Sequence, residues 1–124
     1  MREIKFRAWD GSRMWDRTEI AVGNNELFEI LNDHHAAELF SESFEVMQYT
    51  GLKDKNGKEI YEGDILKYWL PTIKREEIGL VEWHDDLACF QLNGNWMEYD
   101  WIKIEKQEVI GNIYENKELL DDKT

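Results

Sequence analysis

The chain has 124 residues, 42% of them hydrophobic and 34% charged, and its 15 Lys plus Arg stand against 27 Asp plus Glu for a formal net charge of −12. That length suits one domain over residues 1–124, and the apolar content is too high for intrinsic disorder while every apolar run is too short for a membrane helix. Such acidity works against direct binding of a polyphosphate unless the cations gather on one face. In sequence they are dispersed: Arg2, Lys5, Arg7 and Arg13 at the front, Lys53, Lys55 and Lys58 around one turn, Lys74 and Arg75 in another.

The opening Met1 to Trp9 alternates charge with apolar residues and has no continuous apolar stretch of the kind a signal peptide needs, which points to a cytoplasmic protein. Ile4, Phe6 and Ala8 alternate with Lys5, Arg7 and Trp9, the period of a strand with one buried face. Asp10-Gly11-Ser12 turns the chain, and Met14-Trp15 begins a return strand whose tryptophan could pair with Trp9. Ile20 and Val22 before Gly23-Asn24-Asn25, with Phe28 and Ile30 after it, make a second candidate hairpin; Leu27, Ile30 and Leu31 also match helical spacing, and the Gly-Asn turn alone favours strand. Asn32 to Glu45 reads as a loop with one helical turn. An N-terminal β-hairpin region is therefore expected over 1–45 and a barrel-like region over 46–124.

From Glu45 the signals sharpen. Val46, Gln48 and Thr50 alternate with Met47 and Tyr49, and Asp54-Lys55-Asn56-Gly57 is a strong hairpin signal because Asn tolerates, and Gly favours, positive φ. Gly63-Asp64 opens a strand with Leu66, Tyr68 and Leu70 on one face and Ile65 and Trp69 on the other. Pro71 closes it, and Thr72 to Glu77 reads as a charged loop. The next strand, Ile78 to His84, carries Gly79, Val81 and Trp83 on one face, and after Asp85-Asp86 its partner carries Ala88, Phe90 and Leu92. Cys89 is the single cysteine, so no internal disulfide can form, and its apolar neighbours make it a buried core thiol. Trp96 to Ile104 is extended and aromatic; Gln107 to Tyr114 is a last strand in which Gly111 marks a bulge or a close backbone approach. Glu115 to Leu120 fits one helical turn. Short strands about ten residues apart with turn chemistry between them predict a mainly β protein with little helix, its C-terminal two thirds a small SH3-like barrel.

Three blocks of the sequence resemble the YopX family of phage and prophage proteins: Arg2 to Asp10, Met47 to Ile65 with its Gly-Leu-Lys-Asp-Lys-Asn-Gly and Tyr-Glu-Gly-Asp-Ile wording, and Glu108 to Asn116. They fall in order and span almost the whole chain. Lys117 stands where the family usually has proline after the final Tyr-Glu-Asn, and residues 23–45 match nothing in it. The resemblance implies expression inside a bacterial cell that carries a phage. It brings no catalytic or binding residues, since the family has no established activity.

The chemistry-bearing residues are read accordingly. His34-His35 with Asp33 and Glu38 have the donor types of a metal site, but adjacent histidines in extended chain point apart and no second cluster accompanies them, so a solvated loop is the reading. His84-Asp85-Asp86 reads as a strand end and turn, without the nucleophile a general base would serve. Asp54 to Glu59 lacks the ligand spacing and terminal glutamate of a calcium loop. No phosphate-cradling glycine motif is present. Neither catalytic residue, metal nor cofactor is expected, and the protein is expected not to be an enzyme.

The six tryptophans are many for this length, and most are expected to pack in the core or at a barrel rim, where each can bury about 150–250 Å². Trp96, Met97, Tyr99 and Trp101 instead form a candidate interaction patch, aromatic and acidic together, of residue types enriched at interfaces. The expected function is an accessory role exercised by binding a host or phage protein, or a second copy of the chain. The alternative is a nucleic-acid-associated or DNA-mimicking protein.

Overall fold

A computed structural model of the chain describes residues 3–23, 26–32, 35–39, 44–85, 87–94, 98–99 and 104–121. It is built almost wholly of antiparallel strands, with one four-residue helix among the described residues. Among the described residues no helix is long and apolar enough to cross a membrane. The chain divides into two compact units, Met1–Tyr49 and Thr50–Thr124.

In the first unit, β1 (Phe6–Trp9) pairs antiparallel with β2 (Met14–Trp15) and with the opening of β6 (Glu45–Lys53). The β1–β2 turn is fixed by Asp10, whose Oδ1 accepts from the backbone N–H of Ser12 (2.7 Å) and Arg13 (2.8 Å), while Oδ2 accepts from the Trp15 indole (2.9 Å). Gly11 supplies the φ of 101° that the turn requires. The indole donor, then the two backbone donors, hold the Asp10 carboxyl down at about 2, from an ordinary 3.8. An NMR titration of the Asp10 side-chain carboxyl should accordingly show a midpoint near 2, and Trp15→Phe, which removes the first of these donors, should move it back toward 3.8.

The register pairs Trp9 with Met14 and Trp15 with Ala8. Directly opposed residues share a face, so the two tryptophans lie on opposite faces and the expected pairing between them does not form. Trp15 instead meets Phe44 edge-on at 5.8 Å beside buried Ala8 and Ile20. The second expected hairpin is present as β3 (Ile20–Gly23) and β4 (Glu26–Asn32). Where a loop with a helical turn was expected, β5 (His35–Leu39) pairs with β4 and completes a three-stranded sheet. Ala36-Ala37-Glu38-Leu39 has helical propensity, and the strand pairing available along β4 overrides it.

In the second unit, the end of β6 and β7 (Glu59–Tyr61) form the predicted hairpin. The remaining strands are β8 (Asp64–Leu70), β9 (Arg75–His84), β10 (Cys89–Gly94), β11 (Glu98–Tyr99) and β12 (Glu105–Asn112). Their order in the sheet is β11-β10-β9-β8-β12, a four-strand meander to whose first strand the last returns. Ile60, Leu66, Tyr68, Leu70, Val81, Leu92 and Ile104 make its core, with Val109 packed against them. β9 begins at Arg75, inside the stretch expected to be loop, because Arg75, Glu76 and Glu77 continue the ladder with Leu70, Trp69 and Tyr68. Glu77 is buried there, and the Arg75 guanidinium pairs with it, its Nε at 2.9 Å. The short helix α1 (Glu118–Asp121) ends the described chain, at the predicted place.

Candidate functional site

The polar residues of the family-like blocks hold turns. Asp54 is only 7% exposed; its Oδ1 accepts from the backbone N–H of Asn56 (2.8 Å) and Lys58 (2.9 Å), and its Oδ2 reaches the N–H of Val109 in β12 (3.0 Å). One carboxylate thus closes the hairpin turn, where Gly57 has φ 84°, and ties it to a strand 55 residues away in sequence. Lys55 adds a second tie, its N–H donating to the Gln107 carbonyl (2.9 Å). Burial acts to raise the Asp54 pKa, but the N–H groups of Val109, Lys58 and Asn56 together outweigh it and hold the carboxyl below its ordinary value.

Asp64, buried at the start of β8, accepts from the N–H of Tyr61 (2.8 Å) across the Glu62-Gly63 corner. Gly63, at φ 89°, donates to Val81 and accepts from Ile113, both at 2.8 Å, so this corner is pinned to β9 and to the turn that follows β12. At the C-terminal block, Asn112 Oδ1 accepts from the N–H groups of Tyr114 (3.0 Å) and Glu115 (2.9 Å), while Asn116 Oδ1 accepts from the N–H of Asn112 (3.1 Å). Gly111 has to be glycine for this cap: a Cβ there would stand 2.6 Å from Asn116 Oδ1, and the register of β12 shifts beside it, as the sequence predicted. The three buried polar side chains Asp54, Asp64 and Asn112 are therefore occupied by backbone donors.

Of the predicted interaction patch, Trp96, Met97 and Trp101 lie outside the described residues. Tyr99 lies in β11, paired with Leu92 of β10. His35 and Glu38 lie in β5, paired with Asn32 and Phe28, and Asp33 and His34 lie outside the described residues. Among the described residues no group of three or more His, Cys, Asp or Glu is placed to hold a metal. His84 ends β9 with Nε2 3.9 Å from Glu82 Oε1. Cys89 is half-buried, not a core thiol, because it opens β10 directly after Ala88, a turn residue in the left-handed region at φ 51°.

A surface feature that the sequence reading did not single out lies next to these residues. Trp83 is 43% exposed and Leu87 54% exposed, at the end of β9 and in the turn that follows. Trp83 meets Phe90 edge-on at 5.0 Å, and its indole N–H donates to Asp85 Oδ1 at 2.6 Å. Alternation along β9 put Trp83 on the same face as Val81, as the ladder has it; it could not show that cover stops beyond Val81. A leucine set among Asp85, Asp86 and Ala88 was the available signal, since turn positions rarely favour a bulky apolar side chain.

The first unit carries a shallow cleft of about 300 Å³ lined by Ile4, Lys5, Phe6, Arg17, Ile20 and Val22. Lys5 is engaged there with Glu3 (3.3 Å) and lies over the Tyr49 ring (5.1 Å).

Comparison with known proteins agrees with the resemblance in the sequence. The crystal structure of protein EF1440 from Enterococcus faecalis is similar to this chain at TM-score 0.67 and 27% identity, over 97% of this chain and 99% of that one. The crystal structure of protein YopX from Bacillus subtilis is similar at TM-score 0.67 and 23% identity, with the same coverage, a likeness that speaks to the fold. No curated protein matches the chain. The sequence model described as YopX protein matches residues 5–121, nearly the full length. The chain belongs to the YopX protein family.

Proposed function

We propose that this chain is a non-enzymatic accessory protein of a phage or prophage that acts in the bacterial cytoplasm by binding another protein, with its SH3-like second unit as the scaffold for the contact. The observation that carries this reading is a division of labour among the described residues. The polar side chains of the family-like blocks, Asp54, Asp64 and Asn112, are spent on backbone donors. The exposed end of β9 carries a held indole, and the turn after it a leucine, instead. Exposed aromatics on a rigid sheet are the usual material of a protein interface. The phage setting comes from the family resemblance.

The nucleic-acid reading has less support. Of the cations around the turn that would face a phosphate backbone, Lys53, Lys55 and Lys58, Lys55 lies 3.4 Å from Glu108. Apart from net charge, the described residues offer nothing specific to DNA mimicry.

The test is recovery of proteins with a tagged chain during phage induction, joined to size-exclusion chromatography of the purified protein. A specific partner or a defined oligomer is expected. A strict monomer that captures nothing at low salt would end this reading.

A further inference from the structure

We propose that the β9–β10 end of the second unit is the docking face for a cationic segment of a protein partner that presents an apolar anchor; this rests on the protein-binding function above and gives it a site. The ladder sets Val81 opposite Leu92 and Trp83 opposite Phe90. Opposed residues share a face, so Trp83 and Phe90 continue the face that Val81 and Leu92 bury. Cover stops there, leaving Trp83 and, in the adjoining turn, Leu87 open to solvent. The indole is already held by Asp85 and by the Phe90 edge, so docking would cost little further side-chain entropy.

Charge selects the occupant. From Glu76 to Ile102 the chain has seven carboxylates and no lysine or arginine; Glu77 is buried against Arg75 and Glu82 alternates to the opposite face of β9, so the described carboxylate that rims Trp83 is the exposed Asp85. His84 faces Glu82. A nucleic acid would be repelled by this rim. A second copy meeting it through a two-fold interface would bring the same carboxylate against itself. A lysine- or arginine-bearing segment gains from the rim, and an apolar residue within it gains from Trp83 and Leu87.

The probe is a short synthetic peptide of lysines around a central leucine, compared with a lysine-only peptide and with one in which glutamate replaces lysine. Binding is measured by fluorescence anisotropy on the wild type, Leu87→Ser and Trp83→Ala. The leucine-centred peptide is expected to bind at least about 10-fold more tightly than the lysine-only one and to weaken steeply at about 0.5 M salt. Trp83→Ala should weaken it about 10-fold and Leu87→Ser several-fold. Leu87 lies in an exposed turn, so its replacement leaves a folded protein even if Trp83→Ala does not.

Absence of binding, equal binding of the leucine-centred and lysine-only peptides, or indifference to both substitutions would each overturn the proposal. So would sedimentation showing a dimer that either substitution dissolves, since the occupant would then be a second copy. If a tagged chain with both residues replaced still recovers its cellular partner, the binding function stands and this site falls.

Discussion

Asp54→Ala is expected to destabilise the second unit by about 2–4 kcal/mol in urea melts at neutral pH, because three backbone N–H groups lose a charged acceptor inside a nearly closed site. Asp54→Asn should cost less, about 1–2 kcal/mol. Its carbonyl oxygen can still serve Asn56 and Lys58, whereas its amide group presents donors to the Val109 N–H, which is itself a donor. The effect depends on pH with a definite sign. The folded-state pKa of Asp54 is depressed from its ordinary 3.8, so the unfolded chain takes up the proton first. The stabilisation is therefore fully present above the ordinary carboxylate range and is lost as pH falls through the folded value. The gap between wild type and Asp54→Ala should close in strongly acidic solution; a gap unchanged down to pH about 2 would mean that the carboxylate charge contributes nothing.

Tyr68 is the other position of large expected effect. It is 1% exposed and lies in the core of the second unit, with its ring over Gly79 of the neighbouring strand. Tyr68→Ala should cost about 3–5 kcal/mol through lost burial and the cavity left behind. A Cβ on Gly79 would stand 2.9 Å from the Tyr68 hydroxyl oxygen and 3.1 Å from Cε1, so Gly79→Ala should cost about 1–3 kcal/mol by overpacking. The two changes should not add. Once the ring is gone the new methyl group has room, and its remaining close neighbour is the Asn93 carbonyl at 3.3 Å. The double variant should therefore be little worse than Tyr68→Ala alone, a coupling that chemical denaturation of all four proteins would measure. Strict additivity would show that ring and glycine do not constrain each other.

Much of this architecture could be read from the chain because its local and long-range preferences agree. Asn56-Gly57 encodes a turn, and that turn is present; Gly63 and Gly111 mark a corner and a bulge, and both occur. The alternation of Leu66, Tyr68 and Leu70 predicted a buried face that the structure has. What stayed hidden depends on partners distant in sequence. Nothing near Asp54 announces that its second oxygen reaches Val109, and nothing near Gly79 announces the Tyr68 ring. The Trp9 and Trp15 pairing failed by a one-residue register, which moves a side chain to the other face of a sheet. β5 was misread because helical propensity in a short apolar run is weaker than an adjacent strand. For the candidate surface, period-two alternation located the face of Trp83 but carried no information on where that face loses its cover.

The central claim is that motif carboxylates maintain the fold while the exposed end of β9 makes the contact. It is tested most directly by measuring, side by side, the melting temperature and the recovery of the cellular partner for Asp54→Asn and Leu87→Ser. The account predicts that Asp54→Asn melts lower yet still recovers the partner at a temperature where it is folded, and that Leu87→Ser melts like wild type and recovers much less. The opposite pattern, a folded Asp54→Asn that has lost the partner beside a Leu87→Ser that keeps it, would contradict the account.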